Sequence, residues 1–162
     1  MGTTYQVTYT DTVERIHRPA VDSLLVAFNA AFSTYDEASL LSRFNRRDED
    51  VLWTGDDMDW LLTLWSLSGR VHDGSDGAFD PTVMPLVRYW GFFTEDPFAG
   101  AAEADSGAID SILRFVGWDR LAQPRLITAE ANSPAVELRA PDPRFELDFN
   151  AIAKGYAVDR IG

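Results

Sequence analysis

Cysteine is absent from this sequence of 162 residues. Disulfide bonds, cysteine nucleophiles and thiolate metal ligands are therefore excluded. Basic residues are also scarce, with 14 of them against 26 acidic residues, and the formal net charge is -12. Such a chain lacks the positive field that attracts nucleic acids or anionic membranes, so we expect no nucleic-acid partner. A polyphosphate ligand would need a local site that works against the overall charge.

Long apolar runs are absent as well. No stretch approaches the roughly 20 apolar residues that a membrane-spanning helix needs, and the sequence contains no internal repeat or low-complexity tract. The phosphate-binding sequences of Walker A loops and the dinucleotide fingerprint GxGxxG are also missing. Apolar residues nevertheless make up 46% of the chain, a fraction typical of globular proteins. The chain is thus long enough and apolar enough to form a substantial core.

The spacing of apolar residues predicts both helices and strands. We predict helices over 19–32, 39–45, 55–68, 81–90 and 109–116, a final helix from Asn150, and strands over 3–10, 124–130, 135–140 and 144–149. A capping box of Thr54 and Asp57 is expected to begin the third helix, and Gly69 to end it. Helices followed by hairpin strands indicate an α+β fold, with helices packed on a mainly antiparallel sheet.

Two loops carry candidate binding residues. In "GAFDPT", Asp80 and Pro81 form a common helix start, so one interpretation is capping alone. The alternative is that the backbone N–H groups of Ala78 and Phe79 face a ligand, with the Phe79 ring offering a flat surface. In "FSTYDEAS", Tyr35 is either a half-buried amphipathic side chain or a ring that stacks on a planar ligand.

Lys154 is the third candidate, because a lysine near a helix start opposes the helix dipole. Asn150 is expected to cap this helix, and Asp148 to provide a second capping acceptor. One interpretation of Lys154 is a solvated surface residue. The other is that Lys154, the exposed N–H groups and the small residues of "NAIAKG" together bind a phosphate. The residues alone leave both interpretations open.

Four stretches together resemble one known family. The sequences "MGTTYQV", "FSTYDEASLLSRFN", "GAFDPTVMPLVRYWGF" and "LDFNAIAKGYAVDRI" occur in the order and character of the ApbE flavin transferases, also called FAD:protein FMN transferases. These proteins were formerly labelled thiamine-biosynthesis lipoproteins. The resemblance covers the whole chain but only about the N-terminal half of the family domain. It implies that residues 1–162 are the N-terminal part of a single ApbE-like, T-fold-like domain.

The resemblance also implies an activity. Family members use Mg²⁺ to split the pyrophosphate of FAD, attach FMN through a phosphoester to a threonine or serine of a target flavoprotein, and release AMP. Matched by motif, the residues expected to contact FAD are Met1, Tyr35, Asn45, Ala78, Phe79, Asp80, Asp148 and Lys154. The Ala151 carbonyl is expected to be a metal ligand. A cation and a helix start would offset the phosphate charge.

Other parts of the family pattern are missing from these 162 residues. We find neither the glycine-rich strand region, the histidine-containing segment nor the aspartate–threonine metal motif, so we expect this chain to need the other half of the domain and to be inactive alone. His17 and His72 lie outside the matching motifs and are expected at the surface. No catalytic residue is assigned. An FAD-binding protein, an FAD pyrophosphatase and a domain without ligand are the alternatives. A periplasmic location as a lipoprotein is expected from the resemblance only.

Overall fold

The chain folds into six α-helices and one small sheet within the residues that the structure describes. The structure is a computed structural model, and it describes residues 4–10, 17–47, 51–92 and 105–162. The helices are α1 (Arg18–Phe32), α2 (Leu40–Arg46), α3 (Gly55–Gly74), α4 (Met84–Tyr89), α5 (Ser106–Leu113) and α6 (Asn150–Ile161). The strands are β1 (Leu52–Thr54), β2 (Arg125–Thr128) and β3 (Pro134–Glu137). None of these helices is long and apolar enough to cross a membrane.

The sheet is antiparallel, with β3 in the middle. Trp53 of β1 and Leu126 of β2 both lie opposite Val136 of β3. Trp53 and Val136 are fully buried, because this face of the sheet packs on the helices. The α+β prediction is therefore confirmed.

An aromatic core joins the sheet to the helices. Phe32 of α1 stacks on Trp53, with ring centroids 5.2 Å apart, and meets Phe149 edge-on. Ala153 and Ala157 of α6 are buried in the same core. Small side chains let α6 approach its neighbours closely, so the alanines at these two positions serve packing.

Two predicted strands are wrong. Residues 4–10 pair with no strand in the described part of the chain, and Tyr5, Val7 and Tyr9 are about half exposed. Residues 144–149 also form no strand, although Phe145, Leu147 and Phe149 are buried in alternation. The alternation is real, but the backbone of this segment bonds to side chains and loops instead of a neighbouring strand. The short strand β1 was not predicted.

Several predicted helix ends are also wrong. Thr54 makes no capping bond. Helix α3 continues five residues past Gly69, which does not adopt the positive φ of a helix-ending glycine and lies against the Trp118 ring. A Cβ at Gly69 would be 3.6 Å from Trp118 Nε1. The next helix, α4, starts at Met84 instead of Pro81.

The remaining helix boundaries shift by a few residues. Helix α5 begins after Asp105, whose carboxylate accepts from the Gly107 N–H, and it ends at Leu113, well before Gly117. Helix α6 includes Asn150, and Phe149 occupies the N-cap position. Asn150 is not the cap because its side chain points to another loop.

Candidate functional site

The segment 145–149 is held from several sides by polar contacts. The side-chain amide of Asn45 donates to the Leu147 carbonyl and accepts from the Leu147 N–H, both at 2.8 Å. Arg47 donates to the Phe145 carbonyl at 2.5 Å. The Asp148 N–H donates to the Pro81 carbonyl at 2.7 Å. These contacts replace the strand pairing that the sequence pattern predicted and connect this segment to two distant parts of the chain.

The start of α6 is connected to the Tyr35 loop. Asp148 Oδ1 accepts from the Asn150 N–H at 2.7 Å, which confirms Asp148 as a capping acceptor. The Asn150 side chain donates to Thr34 Oγ1 at 2.7 Å. Thr34 thus lies at the start of α6, although 116 positions separate it from Asn150.

Tyr35 lies next to this contact, at the surface. Its backbone N–H and that of Asp36 donate to Ser33 Oγ, while the Ser33 carbonyl accepts from the hydroxyls of Ser39 and Ser42. The loop is therefore fixed, yet the Tyr35 residue is 65% exposed. An exposed ring on a fixed loop is suited to stacking on a planar ligand.

Asp148 has a perturbed carboxyl group. Burial raises its pKa above the ordinary aspartate value, while the hydrogen bonds from Asn150 and the charge of Lys154 act in the opposite direction. A partly buried carboxylate of this kind is costly to keep charged. Perturbed groups occur often at functional sites, although structural networks perturb them too.

The carboxylate of Asp80 is used inside the protein. Its Oδ1 accepts from the N–H and the hydroxyl of Thr82, and its Oδ2 accepts from the Trp118 N–H at 3.0 Å. The Thr82 hydroxyl in turn accepts from the Gly117 N–H at 2.6 Å. Asp80 therefore anchors its loop to residues 117–118 rather than starting a helix.

The backbone of Ala78 and Phe79 is likewise engaged. The Ala78 N–H donates to the Ser75 carbonyl at 3.1 Å, and the Phe79 N–H donates to Ser75 Oγ at 3.0 Å. Both N–H groups are therefore satisfied within the loop in this structure. What the loop can still offer a ligand is the half-buried Phe79 ring and the exposed Ala78.

Lys154 lies on the exposed face of α6. It lines a groove of about 330 Å³ between α1 and α6, together with Tyr5, Asp22 and Asn29. Tyr35, Phe79 and Asp148 do not line that groove. The charge of Lys154 lowers the pKa of the Asp148 carboxyl, against the larger effect of burial.

The start of α6 supplies few metal ligands. Ala151 is the second residue of the helix, and Mg²⁺ prefers near-octahedral oxygen ligands that include carboxylates. Among the described residues, no three His, Asp or Glu side chains are grouped so as to hold a metal ion. One carbonyl with the Asp148 carboxylate nearby does not complete such a set. These residues by themselves therefore do not fit magnesium.

The predicted site residues are thus only partly brought together. The contacts of Asp148 and Asn150 bring the Tyr35 loop, the Asp80 loop and the start of α6 to one place. Asn45 is 6% exposed and bonded on both sides of its amide, so it supports the segment from inside. Met1 lies outside the described residues.

The sequence reasoning missed three residues that hold these loops. They are Thr82, Asn150 as a side-chain donor, and His72, which was expected at the surface although its side chain is only 12% exposed. No local pattern marks their roles, because their partners are distant or lie in irregular loops. His17, by contrast, is exposed as expected.

Helices packed on a small antiparallel sheet, with two loops joined at the start of a helix, define an α+β domain with a candidate ligand site. The model of the ApbE family matches residues 1–162. The chain belongs to the ApbE family.

Curated relatives carry one common name. A protein of Haemophilus influenzae is 31% identical over 99% of this chain and 45% of its own length, and one of Vibrio cholerae is 30% identical with the same coverages. Both are named FAD:protein FMN transferase. This chain therefore spans just under half the length of the relatives that it matches.

Solved structures agree with the fold. The flavin transferase ApbE from Vibrio cholerae superposes with a TM-score of 0.64 and 26% identity, over 97% of this chain and 46% of that one. The apo flavinyl transferase ApbE of Pseudomonas stutzeri gives a TM-score of 0.64 and 28% identity, over 89% of this chain and 42% of that one.

Proposed function

We propose that the protein containing this chain is an FAD:protein FMN transferase, and that this chain is the N-terminal part of its catalytic domain. Family membership over the whole chain and the common name of its relatives support the proposal. The structural observation that carries it is the convergence of the Tyr35 loop, the Asp80 loop and the start of α6 through the bonds of Asp148 and Asn150. Three motifs that are separate in sequence are thereby joined by hydrogen bonds.

The proposed reaction is a phosphoryl-group transfer. A threonine or serine hydroxyl of the acceptor flavoprotein attacks the FMN phosphorus of FAD, and the new O–P bond forms as the bond to the bridging oxygen breaks. AMP leaves with that electron pair, and the hydroxyl proton passes to a base or to water. Such reactions depend mainly on positioning and on compensation of charge.

The chain's own residues have distinct roles in this proposal. The ammonium group of Lys154 and the N–H groups at the start of α6 offset phosphate charge. The exposed ring of Tyr35 and the ring of Phe79 contact the planar parts of FAD. Asn45 and Asp80 keep the supporting loops in place. Magnesium dependence and a periplasmic location as a lipoprotein rest on the resemblance alone.

The test is an assay with FAD, Mg²⁺ and an acceptor flavoprotein, read by in-gel flavin fluorescence together with AMP release. We compare residues 1–162 alone with the same chain joined to the other half of the domain, as found in its relatives. The longer protein is expected to label the acceptor, and residues 1–162 alone are not. An acceptor with its threonine or serine replaced by alanine is the matched control.

The outcomes separate the alternatives. AMP release without a labelled acceptor would show an FAD pyrophosphatase. FAD binding without AMP release would show a binding protein. Strong labelling by residues 1–162 alone would show that these residues hold a complete site, and would overturn the expectation that a second half is needed.

A further inference from the structure

His72 is a polar residue whose side chain is 12% exposed, and the proposed function does not yet use it. It lies in the last turn of α3, and its Nδ1 is 2.7 Å from the Phe79 carbonyl oxygen. A carbonyl oxygen can only accept, so Nδ1 carries the proton in this contact. The other ring nitrogen is 3.8 Å from the carboxylate of Asp119, which is itself largely exposed. The closer contact is thus the one to the Phe79 loop.

The loop 75–79 folds around His72. The Gly77 N–H donates to the His72 carbonyl at 2.9 Å, and Ser75 Oγ donates to the same carbonyl at 3.1 Å. Gly77 has a φ of +78°, and a Cβ there would lie 3.7 Å from His72 Cε1. The positive φ favours glycine, and it lets the loop backbone lie against the imidazole ring.

Both polar groups of the Phe79 backbone are therefore held. His72 binds the carbonyl and Ser75 binds the N–H. One residue further on, Asp80 is fixed to Trp118. With its backbone anchored on both sides, Phe79 has little backbone freedom, and His72 holds one of these anchors.

We infer that His72 is a positioning residue of the nucleotide site, which presents Phe79 to FAD by fixing its carbonyl. This inference rests on the proposed function, because it assumes that Phe79 contacts FAD. Without the Nδ1–H contact, binding has to order the loop, and the ordering cost lowers affinity. A hydrogen bond of ordinary net strength corresponds to a loss of about tenfold in affinity.

The experiment compares three variants of the intact protein. His72→Ala removes the donor. His72→Asn places an amide N–H where Nδ1 was, whereas His72→Gln places it near the other ring nitrogen. We measure the Kd for FAD by flavin fluorescence, and the Tm without FAD. The expected result is a Kd about tenfold higher for the alanine and glutamine variants, and a Kd close to wild type for the asparagine variant.

A second measurement does not depend on FAD binding. Hydrogen exchange at the Phe79 amide should be faster in the alanine and glutamine variants, and near wild type in the asparagine variant. If the alanine variant does not fold, the comparison of the asparagine and glutamine variants still tests the inference. Both side chains are polar amides, and they differ in which ring nitrogen of His72 their N–H replaces. A purely structural role would lower the Tm without separating the FAD affinities of the folded variants.

Failure of the inference about His72 can be distinguished from failure of the proposed function. If wild-type protein binds FAD and all three variants bind it equally well, the inference about His72 is wrong and the proposed function stands. If wild-type protein binds no FAD, both are overturned.

Discussion

Asn45 and Leu147 are 102 positions apart, yet the amide of Asn45 makes both of its hydrogen bonds to the backbone of Leu147, each 2.8 Å long. These two hydrogen bonds take the place of pairing with a neighbouring strand. Asn45 is buried, and Leu147 is almost completely so. The segment that leads to Asp148 is therefore fixed from inside the protein.

Replacing Asn45 should destabilise the fold. Asn45→Ala leaves a buried N–H and a buried carbonyl without partners, which should lower the free energy of unfolding by about 3 kcal/mol. Urea denaturation measures the change. Arg46→Ala, at the exposed neighbouring position, is the control and should change stability by less than about 1 kcal/mol. Equal effects of the two substitutions would contradict the role given to Asn45.

Stability should also fall on a substitution of Thr82 that keeps the shape of its side chain. Its buried hydroxyl accepts from the Gly117 N–H and donates to Asp80. Thr82→Val keeps the volume but leaves the Gly117 N–H without its partner, and should lower stability by about 2 kcal/mol. Thr82→Ser keeps the hydroxyl and should cost less. Thermal unfolding of the two variants gives the comparison, and a valine variant as stable as the serine variant would refute the prediction.

Lys154 should matter for binding and not for folding. It is exposed, so Lys154→Ala should leave the Tm nearly unchanged. If its charge faces the phosphates of FAD, the Kd should rise by about 10- to 100-fold, the range for a hydrogen bond to a charged group. Arg160→Ala, in the last turn of the same helix, is the control for charge alone and should have a much smaller effect.

Amine labelling gives a second readout for the same residue. Lys154 is the only lysine of this sequence, so acetylation of its peptide is easy to follow by mass spectrometry. FAD should protect it. Unchanged labelling in saturating FAD, together with an unchanged Kd in Lys154→Ala, would remove Lys154 from the site.

The raised pKa of Asp148 predicts that the stability of the protein depends on pH. Because burial raises its pKa in the folded state, the folded protein binds its proton more tightly than the unfolded chain does. The contribution of Asp148 to stability therefore falls as pH rises from the ordinary aspartate pKa through the raised one, and stays low above it. Asp148→Asn removes this loss, and its side-chain oxygen can still accept from the Asn150 N–H.

The measurement is urea denaturation of both proteins from acid to neutral pH. Asp148→Asn should be more stable than wild type at pH 7, and the difference should disappear below the ordinary aspartate pKa. If the Asp148 carboxylate contacts FAD, Asp148→Asn should bind FAD no more tightly than wild type, although the variant is more stable. A difference that stays constant with pH would show that the carboxyl group does not titrate as its burial indicates.

Local patterns were sufficient for some elements. Helix α1 was predicted almost to the residue, because its apolar residues face one side. The start of α6 was predicted at Asn150, where the structure has it. The pattern of 144–149 was correct for burial but not for secondary structure, since alternation determines which side chains face the core and does not supply a partner strand. Gly69 did not end α3, because it keeps a helical backbone conformation; it lies instead where the Trp118 ring packs on the helix, a contact that is not visible locally.

The sequence by itself determined the fold class, the family motifs and the apolar faces of the main helices, because these depend on composition and on spacing over a few residues. Only the tertiary structure decided what the polar residues of those motifs do. Asp80 bonds to Trp118, Asn45 to Leu147 and Asn150 to Thr34, across 38, 102 and 116 positions. A hydrogen bond needs its two atoms about 3 Å apart, and for residues this distant in sequence only the folded chain determines that distance.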